Sequence, residues 1–326
     1  VEDSDSFIDR YEDMVEDLIE IFKGRMLSIV DEDGREIEGI EIHSTIGFAL
    51  DSDQTLRKAT IALKTAKEQD KDYVCYFKGL NQKEEYATQI ERSKLIQYAT
   101  INNNIVPYFQ PIVNDQKVPV KYECLIRLLD RGDVISPNVF LDISKRIKRY
   151  ADLEKQLIVK CFKQLVEDKN LVLSINLSSR DMIDGDVSSL VLNLLNKHNV
   201  AGRVVFEIVE DEELKNLERV SNFIERVKSM GAKIAIDDFG SGYSNFSYII
   251  KIKPDYVKID GSIIKDIDIN KDSHSIASAI VAFAKDLGIK TIAEYVHSKE
   301  IFEICKEIGV DEFQGFYFGA PERAGS

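Results

Sequence analysis

From residue 106 onward one pattern recurs along the chain: a short apolar run, a polar group where the run stops, then a loop and a helical stretch. The runs fall at residues 108–113, 120–128, 171–177, 204–209, 233–239, 256–259, 291–296 and 312–318. Helical periodicity fills most of the gaps, at 152–168, 187–198, 217–230, 275–287 and 299–308. Eight strands alternating with helices predict an α/β fold, a closed (β/α)8 TIM-like barrel. The first two runs differ from the rest. Only residues 114–119 separate them, and a parallel crossover needs about a dozen residues or more, so they are predicted to form an antiparallel hairpin. The expected barrel therefore has one reversed strand.

The polar groups at these strand ends are Glu123, Asn176, Glu207, Asp237 with Asp238, Lys258, Glu294 and Gln314. In a closed barrel the C-terminal ends of parallel strands meet at one mouth, so residues far apart in sequence should share one cup. Carboxylates crowded there repel one another unless cations sit among them. Oxygen ligands without His or Cys suit Mg2+ or Mn2+ better than Zn2+. Asp237 and Asp238, adjacent in KIAIDDFGSGYSN at 233–245, could serve two ions of one centre, an arrangement suited to displacement at phosphorus. Taken singly, each group has a plain structural reading: Glu123 a strand-edge acid, Asn176 a helix cap, residues 207–213 a solvated acidic run, Lys258 a surface lysine. Their joint occurrence at successive strand ends favours a site.

The net charge of −14 argues against holding a DNA or RNA duplex through its phosphates, yet leaves room for an anionic substrate met through metal ions. Cys75, Cys124, Cys161 and Cys305 are scattered with no CxxC pair, which suggests reduced thiols and a cytoplasmic location. Four histidines without HxH or HxxxH spacing argue against a histidine metal site. Before the barrel, the pattern predicts a helix over 6–23, a turn at DEDG, a strand-like 36–50, a helix over 55–69 and a strand at 73–77. Residues 80–104 read as a connecting helix, giving three expected segments: 1–79, 80–104 and 105–326. The chain opens at Val1, and a sensory, signalling or membrane-tethering segment ahead of it is expected.

Two resemblances sharpen this reading. HSTIGFAL followed by LRKATIALKTAKEQDKDYVCYF resembles the C-terminal half of a GGDEF domain, the diguanylate cyclase module. The chain has no Gly-Gly pair, so the resemblance implies an α+β remnant without cyclase activity. From about 79 to 321, FQPIV, YECLIRL, SINLS, EIVE, DDFGSGYSN, VKID, AEYV and FQGFYFGAP resemble the ordered motifs of EAL domains. That family hydrolyses cyclic di-GMP to linear pGpG with two divalent cations. The resemblance implies that Glu123, Asn176, Glu207, Asp237, Asp238 and Glu294 bind metal and that Lys258 orients the attacking water. It places Glu210 as a brace for the 238–245 loop and Gln314 near the metal cluster. It assigns Gln110, Leu125, Arg127 and Asp260 to the substrate, Arg127 to a phosphate and Leu125 to the guanine. It further implies Mg2+ or Mn2+ as cofactor, Ca2+ as an inhibitor, and a homodimer.

Three positions depart from the family's pattern. Cys124 replaces the signature's alanine, and Tyr295 and His297 stand where Gly and a second Glu are usual, which puts catalytic rate in question. A non-catalytic cyclic di-GMP receptor is thus the competing reading. A glycoside hydrolase also fits paired carboxylates on a barrel, but the chain has no Trp on which a sugar ring could pack.

Overall fold

The computed structural model describes residues 2–23, 25–30, 36–41, 44–50, 54–76, 78–183, 185–209, 217–240 and 246–323. Its contacts divide the chain into two compact units, residues 1–91 and 92–326.

The second unit is a closed barrel. Its strands, in chain order, are β1 (Ile105–Val113), β2 (Pro119–Asp130), β3 (Leu173–Asn176), β4 (Val204–Val209), β5 (Lys233–Phe239), β6 (Tyr256–Ile259), β7 (Lys290–Ala293) and β8 (Glu312–Gln314). They pair in sequence order, and β1 closes the ring against β8. β1 runs antiparallel to both β2 and β8, and every other neighbouring pair is parallel. The short link explains the reversal. Asn114 Oδ1 accepts from the backbone N–H of Gln116 and Val118, and Lys117 takes a φ of 62°, folding the chain straight back. Two short strands, Asp133–Ile135 and Glu322–Arg323, add to the outer edges of β2 and β1.

Two strands end earlier than the apolar runs suggest. β7 stops at Ala293, two residues before Tyr295 enters the left-handed region with φ 56°. β8 stops at Gln314 because Gly315 lies directly against the backbone of Val296, where a Cβ has no room. The runs also gave no notice of the helices Pro137–Arg146, Ser179–Ile183, Phe246–Ile252 and Gly261–Ile264. Of these, the first carries a legible start signal, Ser136 ahead of Pro137 at the first helical turn.

Strand alternation sorts β2 between two environments. Cys124, Ile126 and Leu128 are buried in the large apolar cluster that joins strands to helices, with Leu153, Leu157 and Cys161 of the helix Tyr150–Glu167. Lys121, Glu123, Leu125 and Arg127 share the other face. Ile112, Val205, Ala235, Tyr256 and Ile292 form a separate buried cluster inside the ring, an apolar layer beneath the mouth. The cysteines are free, but their scatter in sequence concealed one meeting: Cys124 Sγ and Cys161 Sγ lie 2.9 Å apart, both buried. The Cys124 departure therefore faces the helix layer rather than the mouth, and burial pushes its thiol well above the ordinary range.

In the first unit, Met26–Val30 and Glu36–Glu41 form an antiparallel pair, and Ile46–Phe48 pairs in parallel with Tyr73–Cys75. The helix Thr55–Glu68 connects the parallel strands and buries Ala62 and Ala66. The single strand-like stretch expected over 36–50 is thus two strands with different partners, and Met26–Val30 was not anticipated. The helices Glu2–Phe22 and Lys78–Ile101 flank these strands in sequence, and Ile96 and Ala99 of the latter join the barrel's apolar cluster. No helix among the described residues is long and apolar enough to cross a membrane.

Candidate active site

The predicted strand-end residues come together around Lys258. It projects inward from β6 and is 1% exposed. Its ammonium lies 2.8 Å from Glu207 Oε2, 2.8 Å from Asp237 Oδ1, 2.9 Å from Glu294 Oε1 and 3.4 Å from Glu123 Oε2. Asn176 donates from Nδ2 to Glu123 Oε1 at 2.9 Å, and Gln314 donates from Nε2 to Glu123 Oε2 at 2.6 Å and to Gln110 Oε1 at 3.2 Å. Gln110 in turn donates to the carbonyl of Gly319. Seven strands, β1 to β6 and β8, and the residue following β7 each contribute to this cup.

Asp238 reaches the cup through a backbone irregularity. Along a regular strand, Asp237 and Asp238 would point to opposite faces. Between β5 and β6, however, Ile236 pairs with Val257 and Phe239 with Ile259, so two residues on β5 oppose one on β6. Asp238 occupies the bulge with φ 54°, a conformation that Asp adopts more readily than most residues. One oxygen each from Asp237, Asp238 and Glu294 then lie within 4.8 Å of one another. The bulge is what lets two consecutive carboxylates serve one site.

The electrostatics are those of too many acids for one base. Lys258 is held well above its ordinary pKa: burial works against its charge, but Asp237, Glu123, Glu207 and Glu294 outweigh it. Burial pushes Glu207 up to about 8 against the pull of Lys258, with Glu123 and Asp237 adding to the rise. Burial likewise raises Glu294 well above the carboxylate range, opposed by Lys258 and aided by Asp237 and Glu123. Asp238 is raised to about 6 by burial and by the charges of Asp237 and Asp260. Glu123 is lowered: burial would raise it, but Lys258 and the hydrogen bonds from Gln314, Asn176 and Lys258 prevail. Some oxygens remain unspent. Glu207 Oε1 and Gln314 Oε1 are buried without a hydrogen-bond partner among the described residues, whereas Asp237 Oδ1 is met by the Lys258 ammonium. Hard, buried, unsatisfied oxygens beside a three-carboxylate cluster fit divalent cations of the Mg2+ or Mn2+ type.

A cavity of about 630 Å3 opens beside this cluster. Glu123, Glu294 and Gln314 line it together with Leu125, Arg127 and Asp260. Arg127 donates to the carbonyl of Ile126, and its guanidinium lies 5.6 Å from the Tyr108 ring centroid. Asp260 caps the helix Gly261–Ile264 by accepting from the N–H of Ser262. Tyr295 and His297 form one wall, their rings edge to face at 5.7 Å, and Phe316, 73% exposed, forms another. Tyr295 fits because Gly261 has no Cβ to meet its own. Phe316 was not singled out from the sequence; an aromatic directly after Gln314-Gly315 was its only signal. Glu210 and residues 241–245, expected as brace and loop, lie outside the described residues.

Comparison with known proteins accords with this geometry. The EAL domain profile matches residues 94–321, and the chain belongs to that family. It is 26% identical over 295 residues to the cyclic di-GMP phosphodiesterase PdeB of Shewanella oneidensis, a match that covers 87% of this chain and 34% of PdeB. An EAL domain protein from Listeria monocytogenes has the same fold, with a TM-score of 0.65 at 27% identity over 71% of this chain and 94% of that one. The manganese and cyclic di-GMP complex of Klebsiella pneumoniae BlrP1 gives a TM-score of 0.60 at 26% identity, covering 67% of this chain and 56% of that one. The chain spans about a third of the length of the curated relatives it matches.

Proposed function

We propose that this chain is a metal-dependent cyclic di-GMP phosphodiesterase that opens the cyclic dinucleotide to linear pGpG. The observation that carries the reading is a set of five carboxylates beside a cavity of about 630 Å3: Glu123, Glu207, Asp237 and Glu294 around one ammonium, and Asp238 next to Asp237 and Glu294. With Lys258 charged, five ionised carboxylates leave four negative charges, the number that two divalent cations neutralise. Glu123, Asn176, Glu207, Asp237, Asp238 and Glu294 are the residues that would hold them. Bound there, the cations supply positive charge for the phosphate and a water acidic enough to attack phosphorus near neutral pH.

The chain's own groups then have distinct work. Lys258 donates toward the attacking water and, being charged, favours its deprotonated form. Gln314 and Asn176 fix both oxygens of Glu123, so that its lone pairs face the cluster in one orientation. Arg127 supplies a charge-assisted donor to a substrate phosphate, and Leu125 with Phe316 gives apolar surface to a guanine. BlrP1, which shares the fold, was solved with manganese and cyclic di-GMP, and PdeB carries the activity in its name. We further propose that residues 1–79 are a GGDEF-like remnant without cyclase activity and that the barrel dimerises, which sedimentation at micromolar concentration tests.

The deciding assay incubates the purified chain with labelled cyclic di-GMP and Mg2+ or Mn2+ and separates the products. Linear pGpG is expected, abolished by EDTA, suppressed by Ca2+, and reduced at least about a hundredfold in Glu123→Ala. Tight binding of the dinucleotide with no pGpG under any of these ions would replace the enzyme with a receptor.

A further inference from the structure

At the opposite end of the barrel, where β5, β6 and β7 begin, lies a second cleft of about 520 Å3. Four lysines line it, Lys228, Lys233, Lys253 and Lys290, against a single acid, Asp255, in a chain whose net charge is −14. Asp255 is already spent: its Oδ2 accepts from the backbone N–H of Ile234 at 2.9 Å and from Lys228 Nζ at 3.0 Å. Lys228 donates a second bond to the Lys253 carbonyl at 2.7 Å, which fixes it as part of the wall. The other three ammonium groups have little to balance them. Among the described residues Lys233 reaches only the Tyr256 hydroxyl at 3.4 Å and the face of that ring at 5.6 Å. Lys253 forms no ion pair among the described residues. Lys290 stands 3.6 Å from Glu312 Oε1, and Lys121 already engages the other oxygen of that carboxylate. Like charges collected around one concavity repel, and their joint field is strongest inside it.

The walls between the lysines are apolar, with Ile249, Pro254, Leu287 and Ile289 among them. No arginine is present, so the cleft offers point charges rather than the planar fork that selects carboxylates two oxygens at a time. Point charges around an apolar floor suit a compact polyanion that carries an apolar or aromatic body, and the volume lies in the range of small-ligand sites.

We propose that this cleft binds a small phosphorylated ligand of nucleotide size, with Lys233, Lys253 and Lys290 on its phosphates. The site is separate from the carboxylate mouth, and the proposal does not depend on the reaction performed there. Its position has a consequence: of the strands that begin at the cleft, two carry Asp237 and Lys258 near their far ends and the third is followed directly by Glu294, so ligand bound at one end borders the same three strands as the catalytic groups at the other.

Calorimetric titration of the full chain with GTP and with inorganic pyrophosphate, in EDTA and about 50 mM salt, tests it. Without divalent ions the surplus carboxylates of the mouth oppose a polyanion there, and the lysine variant below separates binding in the cleft from binding at Arg127 of the mouth. Saturable binding of at least one probe is expected, weakened at least tenfold in the double variant Lys233→Gln/Lys290→Gln and also by raising the salt to 200 mM. Both lysines are exposed, so the variant should fold, and an unchanged thermal midpoint without ligand verifies that it does. If neither probe binds at 1 mM, or if binding survives the double variant, the proposal fails.

Discussion

The two ends of the barrel are built from the same eight strands and carry opposite errors of charge balance. At the C-terminal mouth, one buried lysine serves four carboxylates; at the N-terminal end, Glu312 is shared by Lys121 and Lys290, and four further lysine contacts crowd Asp255 and Tyr256. Between them stands the apolar layer of Ile112, Val205, Ala235, Tyr256 and Ile292. The difference is more than sign. The mouth concentrates ionisable groups where burial is nearly complete, so its charges cannot be screened and must be neutralised by protons or cations. The base keeps most of its lysines exposed and buries only Lys121 with Glu312. A surplus of charge that is buried implies a missing counter-ion; one that is largely solvated costs little and persists without one.

The largest expected effect comes from removing the one base at the mouth. Lys258→Met takes the counter-charge from four carboxylates and, in the proposed reaction, the donor from the attacking water. Hydrolysis should fall about 10^2- to 10^4-fold, as for loss of a general acid–base group. In EDTA the variant should lose about 3–5 kcal/mol of stability, the usual cost of leaving buried charge unpaired. Saturating Mg2+ should recover much of that loss, because cations can replace the missing ammonium. Urea unfolding with and without Mg2+ measures this, and an unchanged midpoint in EDTA would mean that Lys258 is not the counter-charge described.

At the base, Lys121→Met makes the mirrored change with a different signature. Lys121 is buried, stacked 3.9 Å over the Tyr256 ring and paired with Glu312. Burial pulls its pKa down to about 7; Glu207 opposes that and the charges of Lys290, Lys233 and Lys258 add to it. Because Lys290 remains near Glu312, the cost should be about 2–3 kcal/mol, below the full penalty of an orphaned ion. Divalent cations should not recover it, and hydrolysis per folded molecule should stay within about twofold. Recovery by Mg2+ would show that a divalent cation can replace Lys121 as the counter-charge of Glu312.

Much of this contrast was written in the sequence, and the parts that were not have identifiable causes. Asn176, Lys258 and Gln314 were legible as polar groups at or beside the ends of short apolar strands, and Glu123 and Glu207 as acids that interrupt apolar runs inside theirs, local signals that topology turns into a shared position. The hairpin was legible from the five residues between Val113 and Pro119, too few for any crossover. That Asp238 joins Asp237 in the cup was readable only as adjacency; the bulge and the φ of 54° that produce it depend on β6, a neighbour about twenty residues away. The lysine cleft was illegible for a related reason. Lys228, Lys233, Lys253 and Lys290 come from four separate segments and follow no motif, so each reads as an ordinary solvated lysine until the strands are laid side by side. The meeting of Cys124 with Cys161 was hidden in the same way, since strand–helix packing leaves no spacing rule between them.

A buried acid that belongs to neither end sharpens the comparison further. Glu154, in the helix Tyr150–Glu167, is 4% exposed, and its Oε2 has no hydrogen-bond partner. Burial and the charge of Asp181 raise its pKa to about 8, while a hydrogen bond with Tyr150 and the charge of Lys145 pull the other way. A carboxyl whose pKa is higher folded than unfolded binds its proton more tightly in the folded state. Its contribution is therefore complete below about pH 4.5 and is lost as pH rises through about 8. In Glu154→Gln that loss disappears, so the difference in stability between variant and parent should move in the variant's favour by about 3 kcal/mol from pH 5 to pH 8. Thermal midpoints across that range decide it, and parallel curves would mean that Glu154 is ionised throughout. Unlike the mouth, this position has no cluster of acids for a cation to bind, so Mg2+ should leave the slope of the difference unchanged.

The smallest effect concerns the mouth's outer wall. Tyr295 lies next to Glu294 but contributes a ring to the cavity rather than a charge to the cup; it is 60% exposed and adopts φ 56°, a region costly for any residue with a Cβ. Tyr295→Gly relieves that backbone strain and gives up chain entropy in the unfolded state, two terms of about 1 kcal/mol that oppose each other, so stability should shift by less than about 1 kcal/mol. The cavity, however, loses the wall that Tyr295 and His297 form together. If that wall holds a purine, cyclic di-GMP should bind about fivefold more weakly, near the lower limit for one aromatic contact with a base, and KM should rise with kcat within about twofold. A fall in kcat with KM unchanged would place Tyr295 among the groups that act on the reacting phosphate. Glu294 would then owe its orientation to the strained residue beside it, and the charged cup and the aromatic wall would have to be treated as a single device.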